Sequence, residues 1–312
     1  VTTIGDSAFQ DTGLTSVTIP DSVTSIGNNA FRRAALTSLT LGSGVKTIGS
    51  EAFFQSDITV LTIPDSVTSI ALRAFGDIPL KTLVIGNGLN NQTDVGTSAF
   101  LNVCQTLESI SIDSPRAIGR YGSNNSYDSY LGRDGIRRYY KSYQGLHFGR
   151  FNNETNQNYN VTAFQCPKLE TIIIGDNVIS VGDYAFDASS DFSSLTSLTL
   201  GSGLTSIGNY AFNGPTNLTS VTIPDSVTSI GSGAFNGATA LTSLTLGSGL
   251  TVIGNNAFQN TGLTSVTIPD SVTSIGSYAF EGAANLSSVN IPALVTTIGD
   301  SAFQDTGLTS VT

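Results

Sequence analysis

The chain has 312 residues, of which only 12% are charged, and its formal net charge is −10. This acidic balance argues against nucleic acid as a partner, because a phosphate-binding surface has to be basic. No stretch approaches the roughly 20 apolar residues of a membrane-spanning helix, so the sequence predicts no membrane span in this segment. The first residues, 1–5, fall in the middle of a repeated motif, and we therefore expect the chain to be a segment of something longer.

An Ala-Phe pair recurs twelve times along the chain, at intervals of 22 to 26 residues apart from one longer interval. Around each pair the sequence follows the pattern Leu-x-x-Val-x-Ile-Pro-x-x-Val-x-x-Ile-Gly-x-x-Ala-Phe, which residues 14–31 show in full as LTSVTIPDSVTSIGNNAF. The phenylalanines of the pairs are Phe9, Phe31, Phe53, Phe75, Phe100, Phe164, Phe186, Phe212, Phe235, Phe258, Phe280 and Phe303. A fixed period of this length indicates a stack of repeated coils.

The pattern also predicts how each coil folds. In residues 14–31, the first apolar alternation predicts a short β-strand, and Pro20 turns the chain where other coils have glycine. Val23 and Ile26 form a second inward pair, Gly27 allows another turn, and the Ala-Phe pair fills the core. One coil cannot bury these groups alone, whereas stacked coils bury them against each other. An array of amphipathic helices would need apolar spacings of three and four, and proline or glycine would interrupt every unit.

This signature resembles that of the BspA-like leucine-rich repeats, and the resemblance covers essentially the whole chain except one insertion. We therefore predict a right-handed leucine-rich-repeat solenoid with coils of about 22–23 residues, mostly short parallel β-strands with turns and short helical segments. The resemblance implies a large surface or secreted protein that binds other proteins and mediates adhesion, without catalytic residues. The chain departs from the family in one respect, because most of its coils lack the cysteine that often follows Ala-Phe.

Two columns of small hydroxyls are expected on the outer face of the first strand of each coil. The simplest explanation is that serine and threonine favour strands and let the strand face contact water at little energetic cost. Sugar attachment, packing against another solenoid and ice binding are the alternatives. The members are Ser16 and Thr18, Ser38 and Thr40, Ser197 and Thr199, Ser220 and Thr222, Ser243 and Thr245, and Ser265 and Thr267.

Aspartates recur in Pro-Asp-Ser turns, at Asp21, Asp65, Asp225 and Asp270. These turns alternate with Gly-Ser-Gly turns, so like neighbours are mostly two coils apart, too far for shared calcium ligation. We therefore predict ordinary turn chemistry here, and no metal site or cofactor in the chain.

Six candidate N-glycosylation sequons occur in the chain. Because asparagine, serine and threonine are common here, chance accounts for about this number, and the sequons permit glycosylation without indicating it. Their asparagines are Asn91, Asn124, Asn153, Asn160, Asn217 and Asn285.

One coil is interrupted by an insertion, since 43 residues separate Gly119 from Ala163 where other coils have two. The sequence thus divides into solenoid residues 1–119, a Tyr/Arg-rich insertion at 120–160, and residues 161–312 that continue the same stack. The insertion carries seven of the ten tyrosines and a charge of +3, a composition typical of interface hot spots.

Three interpretations of the insertion stay open. It is a self-packed knob, or it contacts an acidic partner such as the solenoid of a neighbouring molecule, or, least favoured, it binds single-stranded nucleic acid. The candidate partner-binding residues are Tyr127, Tyr130, Arg133, Arg137, Arg138, Tyr139, Tyr140 and Tyr143.

The two cysteines, Cys104 and Cys166, flank the insertion at equivalent places, each three residues before a coil's first leucine. Stacking would bring them within disulfide range, and either a bond or two adjacent thiols would follow. His147 is the only histidine, and its surroundings match no catalytic motif. We therefore expect no catalytic residue and no enzyme.

Residues 1–18 and 295–312 are the same string, VTTIGDSAFQDTGLTSVT. The economical explanation is a period of 294 residues in a longer tandem array, in which neighbouring periods cover the open ends that solenoids otherwise cap. The sequence thus predicts a structural protein of the extracellular space or cell surface. It would assemble with copies of itself end to end and laterally, forming a fibre. The alternative is a discrete adhesin segment whose insertion binds a host or matrix protein.

Overall fold

The computed structural model describes residues 1–89, 95–96, 99–113, 121–131, 137–144, 166–186 and 194–312, with residues 121–131, 137–144 and 104 described by their backbone alone. The chain forms two compact units. The first comprises Val1–Arg116 with Arg120–Cys166, and the second comprises Ala117–Gly119 with Pro167–Thr312.

The described part of the first unit is built from very short strands. They are β1 (Thr3–Ile4), β2 (Ser16–Thr18), β3 (Ser25–Ile26), β4 (Ser38–Thr40), β5 (Thr47–Ile48), β6 (Val60–Ile63), β7 (Ser69–Ile70), β8 (Thr82–Ile85), β9 (Ser109–Ile112), β10 (Tyr121–Leu131) and β11 (Arg137–Gln144). A 3-10 helix, Val103–Gln105, lies between β8 and β9. It is the single helix among the described residues, where turns otherwise connect the strands.

Parallel pairing stacks these strands coil upon coil. One column is β1-β3-β5-β7, in which Thr3 pairs with Ser25 one repeat later. The other contains β2-β4 and β6-β8-β9, with Ser16 opposite Ser38. Each coil thus contributes one strand to a broad face and one two-residue strand to a narrow face.

The second unit repeats the arrangement. Its strands are β12 (Thr171–Ile174), β13 (Ser180–Val181), β14 (Ser197–Leu200), β15 (Ser206–Ile207), β16 (Ser220–Thr222), β17 (Ser229–Ile230), β18 (Ser243–Thr245), β19 (Val252–Ile253), β20 (Val266–Thr267), β21 (Ser274–Ile275), β22 (Ser288–Asn290), β23 (Thr297–Ile298) and β24 (Ser310–Val311). The narrow face is one continuous parallel sheet, β13-β15-β17-β19-β21-β23. The broad face contains the pairs β12-β14 and β16-β18 and the trio β20-β22-β24. Both units therefore confirm the predicted parallel-strand leucine-rich-repeat solenoid.

A column of phenylalanines fills the core on the third side of each coil. In the first unit, Phe9 to Phe75 stack with ring centroids 5.0 to 5.2 Å apart. In the second unit, the stack runs from Phe186 to Phe303 at 5.3 to 5.6 Å. The inner rings are fully buried, and offset stacking adds to the burial of their apolar area. The Ala-Phe pair thus plugs the core as predicted.

The residues on either side of the Ala-Phe pair adopt left-handed backbone conformations, which we did not predict from the sequence. Ser7 and Asp11 flank the first pair with φ of 55° each, and Asn29 and Arg33 repeat these values one coil later. In this conformation the N–H groups of Ser7, Phe9 and Asp11 all donate to carbonyls of the next coil, over 2.7 to 2.9 Å. Left-handed backbone costs non-glycine residues energy, and these inter-coil hydrogen bonds offset that cost.

The glycine of the Ile-Gly pair has a different role from the one predicted. Gly27 and Gly49 do not adopt a positive φ. Instead, a Cβ on Gly49 would lie 2.6 Å from the Asn28 backbone nitrogen and 2.6 Å from the Gly27 carbonyl carbon. Glycine is needed here because adjacent coils approach backbone to backbone.

Candidate interaction surfaces

The broad face presents the predicted columns of hydroxyl residues. Pairing places Ser220 opposite Ser243 and Thr222 opposite Thr245, and all four residues are exposed. Between each serine and threonine a buried or half-buried Val or Leu points into the core. The columns thus lie on the outer face of the strands, as the alternation predicted.

Threonines on the narrow face form a ladder that belongs to the fold itself. The Thr228 hydroxyl donates to the Thr205 carbonyl over 3.2 Å, and the Thr251 hydroxyl donates to the Thr228 carbonyl over 2.9 Å. The ladder continues through Thr273 and Thr296 at 3.2 and 3.1 Å. These hydroxyls therefore hold successive coils together.

The aspartates at the corner between the two faces bridge neighbouring coils. The backbone N–H of Ser248 donates to Asp225 Oδ1 over 2.7 Å, and the Ser248 hydroxyl donates to the same oxygen over 3.0 Å. Asp21 and Asp176 accept equivalent backbone hydrogen bonds from the following coil, also over 2.7 Å. The prediction of ordinary turn chemistry was therefore incomplete, because these carboxylates join two turns.

These bonds hold the pKa of three carboxyls below their usual range. The backbone N–H of the following serine has the largest effect on the pKa of Asp21, Asp176 and Asp225, and the serine hydroxyl adds to it. Hydrogen bonds to the charged form favour ionisation. A carboxyl with a lowered folded-state pKa stabilises the fold above its unfolded pKa of about 4, and this contribution is lost as the pH falls through the folded value.

We therefore expect Asp225→Asn to lower the melting temperature at neutral pH, and the difference from the parent chain to shrink as the pH falls below the unfolded-state pKa of about 4. Asp270→Asn is the matched control, because Asp270 accepts no hydrogen bond from the following coil among the described residues. Thermal unfolding followed by circular dichroism across this pH range measures both variants. A constant difference at every pH would contradict the assignment.

Charge is distributed very unevenly along the chain. Residues 169–312 contain ten aspartates and glutamates and no lysine, arginine or histidine, so they carry the whole net charge of −10. Residues 1–168 hold the 13 basic residues and the other 13 acidic ones, and are neutral. In the first unit, Glu51 lies between two arginines, 3.0 Å from Arg32 Nε and 3.3 Å from Arg73 Nη1. The basic residues of the first unit are thus partly compensated, whereas the acidic residues of the segment 169–312 have no cation within that segment.

The insertion contains a β-hairpin, a secondary structure that the sequence analysis did not predict. Strands β10 and β11 pair antiparallel, with Tyr127 opposite Lys141 and Tyr130 opposite Arg138. The predicted partner residues Tyr127, Tyr130, Arg137, Arg138, Tyr139, Tyr140 and Tyr143 lie on these strands, and Arg133 lies outside the described residues. The register thus brings two tyrosine-rich segments side by side.

The hairpin register also separates the charged positions. Successive strand positions lie on opposite faces of a sheet, so the pairs Tyr127–Lys141, Ser129–Tyr139 and Leu131–Arg137 share one face. Asp128, Tyr130, Arg138 and Tyr140 occupy positions on the other face. The first of these, named the basic hairpin face, carries two basic positions and no acidic one.

Cys166 is buried and disulfide-bonded. Cys104 is the other cysteine of the chain, and its backbone lies in the 3-10 helix next to Asn102. Asn102, with φ of 62°, has the left-handed conformation that Asp11 and Arg33 have two residues after the Ala-Phe pair of their coils. Cys104 lies two residues beyond this position, although it is three residues before Leu107 as predicted.

We predict that Cys104 is the partner of Cys166. Alkylation of the unreduced, denatured chain should then label no thiol, and peptide mapping should recover a single cross-linked pair of peptides containing the two residues. Alkylation after reduction, as the control, should label both. Recovery of an alkylated Cys104 peptide without prior reduction would contradict the pairing.

Two of the six sequons can be placed on a described surface. Asn217 and Asn285 lie in exposed turns that precede broad-face strands of the second unit. Asn124 lies on strand β10, and Asn91, Asn153 and Asn160 lie outside the described residues, as does His147.

In the described part of the chain, no group of three or more His, Cys, Asp or Glu residues is arranged to hold a metal ion. Within the same ranges, no helix has the length and apolar character to cross a membrane.

Comparison with known proteins identifies relatives of the repeat. The sequence profile of the BspA type leucine-rich repeat region matches residues 2–128, 157–281 and 205–312. A leucine-rich repeat protein from Bacteroides ovatus is 23% identical, with 98% of this chain and 80% of that chain covered and a TM-score of 0.41. A leucine-rich cell surface protein from Faecalibacterium prausnitzii is 26% identical, with 100% and 82% covered and a TM-score of 0.39. No curated protein matches.

Proposed function

Because this chain belongs to the BspA-type leucine-rich repeat family, we propose that it is a non-enzymatic structural protein of the cell surface. It serves as one period of a tandem array of near-identical 294-residue periods that forms a fibre, and its insertion makes lateral or partner contacts. The observation that carries the proposal is the behaviour of the repeated 18-residue string in the structure.

The two copies of the string have the same backbone conformation. Ser7 and Ser301 both have φ of 55°, and Asp11 and Asp305 have φ of 55° and 54°. The narrow-face strand is also the same in the two copies, Thr3–Ile4 and Thr297–Ile298. Equal sequence thus gives equal structure at two places 294 residues apart.

The two copies use opposite sides of this common structure. In residues 1–18, the N–H groups of Ser7, Phe9 and Asp11 donate to the coil that follows. In residues 295–312, the N–H of Gly299 donates to the Ile275 carbonyl of the coil that precedes, over 2.8 Å. The string therefore accepts a coil on either side without changing conformation. This is what a period repeating in register requires.

A surface location is supported by the disulfide of Cys166. Structural disulfides persist in oxidising compartments and are rare in the cytosol. The family resemblance, which implies surface or secreted proteins, points the same way.

Examination of the native material tests the proposal. The intact protein should have a mass corresponding to several 294-residue periods, and antibodies against the insertion should label filaments at regular axial intervals in electron micrographs. Antibodies against the repeat strands, present in every coil, provide the control for access. A native chain with one period and label on isolated particles would contradict the array and favour a discrete adhesin.

A further inference from the structure

We infer that the narrow face of the second unit, formed by β13, β15, β17, β19, β21 and β23, is the docking surface for the basic hairpin face of a second copy of this chain. The inference rests on the proposed function, because it identifies the lateral contact between neighbouring fibres. It is carried by the charge of the two surfaces and by the hairpin register.

Exposed aspartates border the narrow face on both sides. Asp176, Asp225 and Asp270 lie at the corner turns before its strands, and Asp183 and Asp300 lie in the turns after them. Since residues 169–312 contain no lysine, arginine or histidine, no basic side chain of this segment neutralises these carboxylates. The face is therefore a site of uncompensated negative charge that extends along the stack.

The surface between these aspartates carries a regular ladder of threonines. Thr228, Thr273 and Thr296 are exposed, but their hydroxyls already donate to carbonyls of the preceding coil. What these threonines leave for a partner is therefore mainly their methyl groups. A partner that fits this face presents apolar or aromatic residues along its middle and positive charge at its edges.

The basic hairpin face has this chemistry. Its positions combine Tyr127 and Tyr139 with Arg137 and Lys141, without an acidic residue. An isolated two-stranded hairpin is marginally stable in water, so a surface that receives it also stabilises its fold. The opposite hairpin face has Asp128 next to its single basic position and complements the acidic surface less well.

A second copy of the chain is the occupant that the charges favour. Periods in which residues 169–312 each carry −10 repel one another when fibres lie side by side. Each period also contains one basic hairpin, so one hairpin meets one acidic face per period. Polyanions such as nucleic acid are repelled by the same face.

Sedimentation of the 312-residue chain tests the contact first. We expect concentration-dependent self-association at about 20 mM salt and a monomer at about 500 mM salt, because screening weakens exposed charge pairs. A chain that stays monomeric at low salt overturns the inference, and the mass of the native protein still decides the proposed function separately.

Reversing the charge of the basic positions tests whether the basic hairpin face makes the contact. Arg137→Glu with Lys141→Glu should weaken low-salt association by about tenfold or more. Lys46→Glu with Lys81→Glu is the control, since it reverses the same total charge at exposed positions of the first unit, where Lys81 pairs with Glu108, and it should have a smaller effect. Equal effects of the two pairs would overturn the assignment to the hairpin.

A charge swap then tests the receiving face. Asp270→Lys with Asp300→Lys should also weaken self-association, and mixing this variant with the Arg137→Glu, Lys141→Glu variant should restore association between the two. Asp270 and Asp300 are suitable because their carboxylates accept no hydrogen bond among the described residues. Unchanged association of the aspartate variant, or no recovery in the mixture, would show that the hairpin docks elsewhere.

Discussion

Replacing Phe258 by alanine is expected to lower the free energy of unfolding of the second unit by about 3–5 kcal/mol. The ring is fully buried and stacks on Phe235 and Phe280, with centroids 5.6 and 5.5 Å away. Removing it leaves a cavity between two coils and interrupts the aromatic column. Urea unfolding followed by circular dichroism measures the loss.

Phe9→Ala is the matched control for this change. Phe9 is 40% exposed and stacks on one neighbour, Phe31, at 5.0 Å. Its removal deletes the same atoms but creates less of a cavity, and the loss should be less than half as large. Similar losses at the two positions would show that the stacked core does not carry the stability of the coils.

Replacing Gly49 by alanine should cost about 3 kcal/mol, the upper end of the range for overpacking. The atoms within 2.7 Å of the added methyl belong to the backbone of Gly27 and Asn28, and backbone cannot rotate away as a side chain can. The two coils therefore have to separate, which also lengthens the hydrogen bond from the Gly49 N–H to the Ile26 carbonyl, now 2.8 Å. Urea unfolding of the variant provides the measurement.

Gly5→Ala tests whether the motif needs this glycine for close approach of the coils or for backbone freedom. Gly5 occupies the same motif position, but a Cβ there would meet no atom within 4 Å in this chain. The substitution should change stability by less than about 0.5 kcal/mol. A large loss of stability at Gly5 would mean that backbone freedom, and not the close approach of coils, explains why glycine recurs at this position of the motif.

The repeat strands were predictable because the spacing of their apolar residues reports which side chains face the core, and this spacing recurs in coil after coil. The Val-x-Ile and Val-x-x-Ile spacings place apolar residues inward in every coil, and strands such as Ser220–Thr222 and Ser229–Ile230 lie where the pattern puts them. The outer positions of Ser220 and Thr222 follow from the same alternation.

The inter-coil contacts could not be predicted in the same way. The left-handed position before Ala-Phe is occupied by residues as different as Glu51, Arg73 and Tyr210, so residue type does not reveal it. One signal was present, because Gly233, with φ of 62°, and Asn256, with φ of 57°, occupy this position in other coils. Glycine and asparagine are the residues that adopt this conformation most readily.

The candidate site was predicted in composition but not in geometry. Sequence placed the tyrosines and arginines of the insertion together, yet only the register of β10 and β11 separates Arg137 from Arg138. The acidic surface was likewise visible as net charge, whereas its position depends on the stacking that aligns Asp225 and Asp270 along one corner. Such alignment is set by coil length and cannot be read from one coil.

Hydrogen exchange in a chain of two periods, residues 1–294 followed by residues 1–312, tests most directly whether this sequence is built to repeat. Ser7, Phe9 and Asp11 donate their N–H groups to a following coil, whereas their equivalents Ser301, Phe303 and Asp305 make no such bond among the described residues. In the two-period chain the latter amides, now at the junction, should exchange at least about tenfold more slowly than in the 312-residue chain. If the junction amides exchange as fast as their equivalents in the 312-residue chain, the tandem array is contradicted.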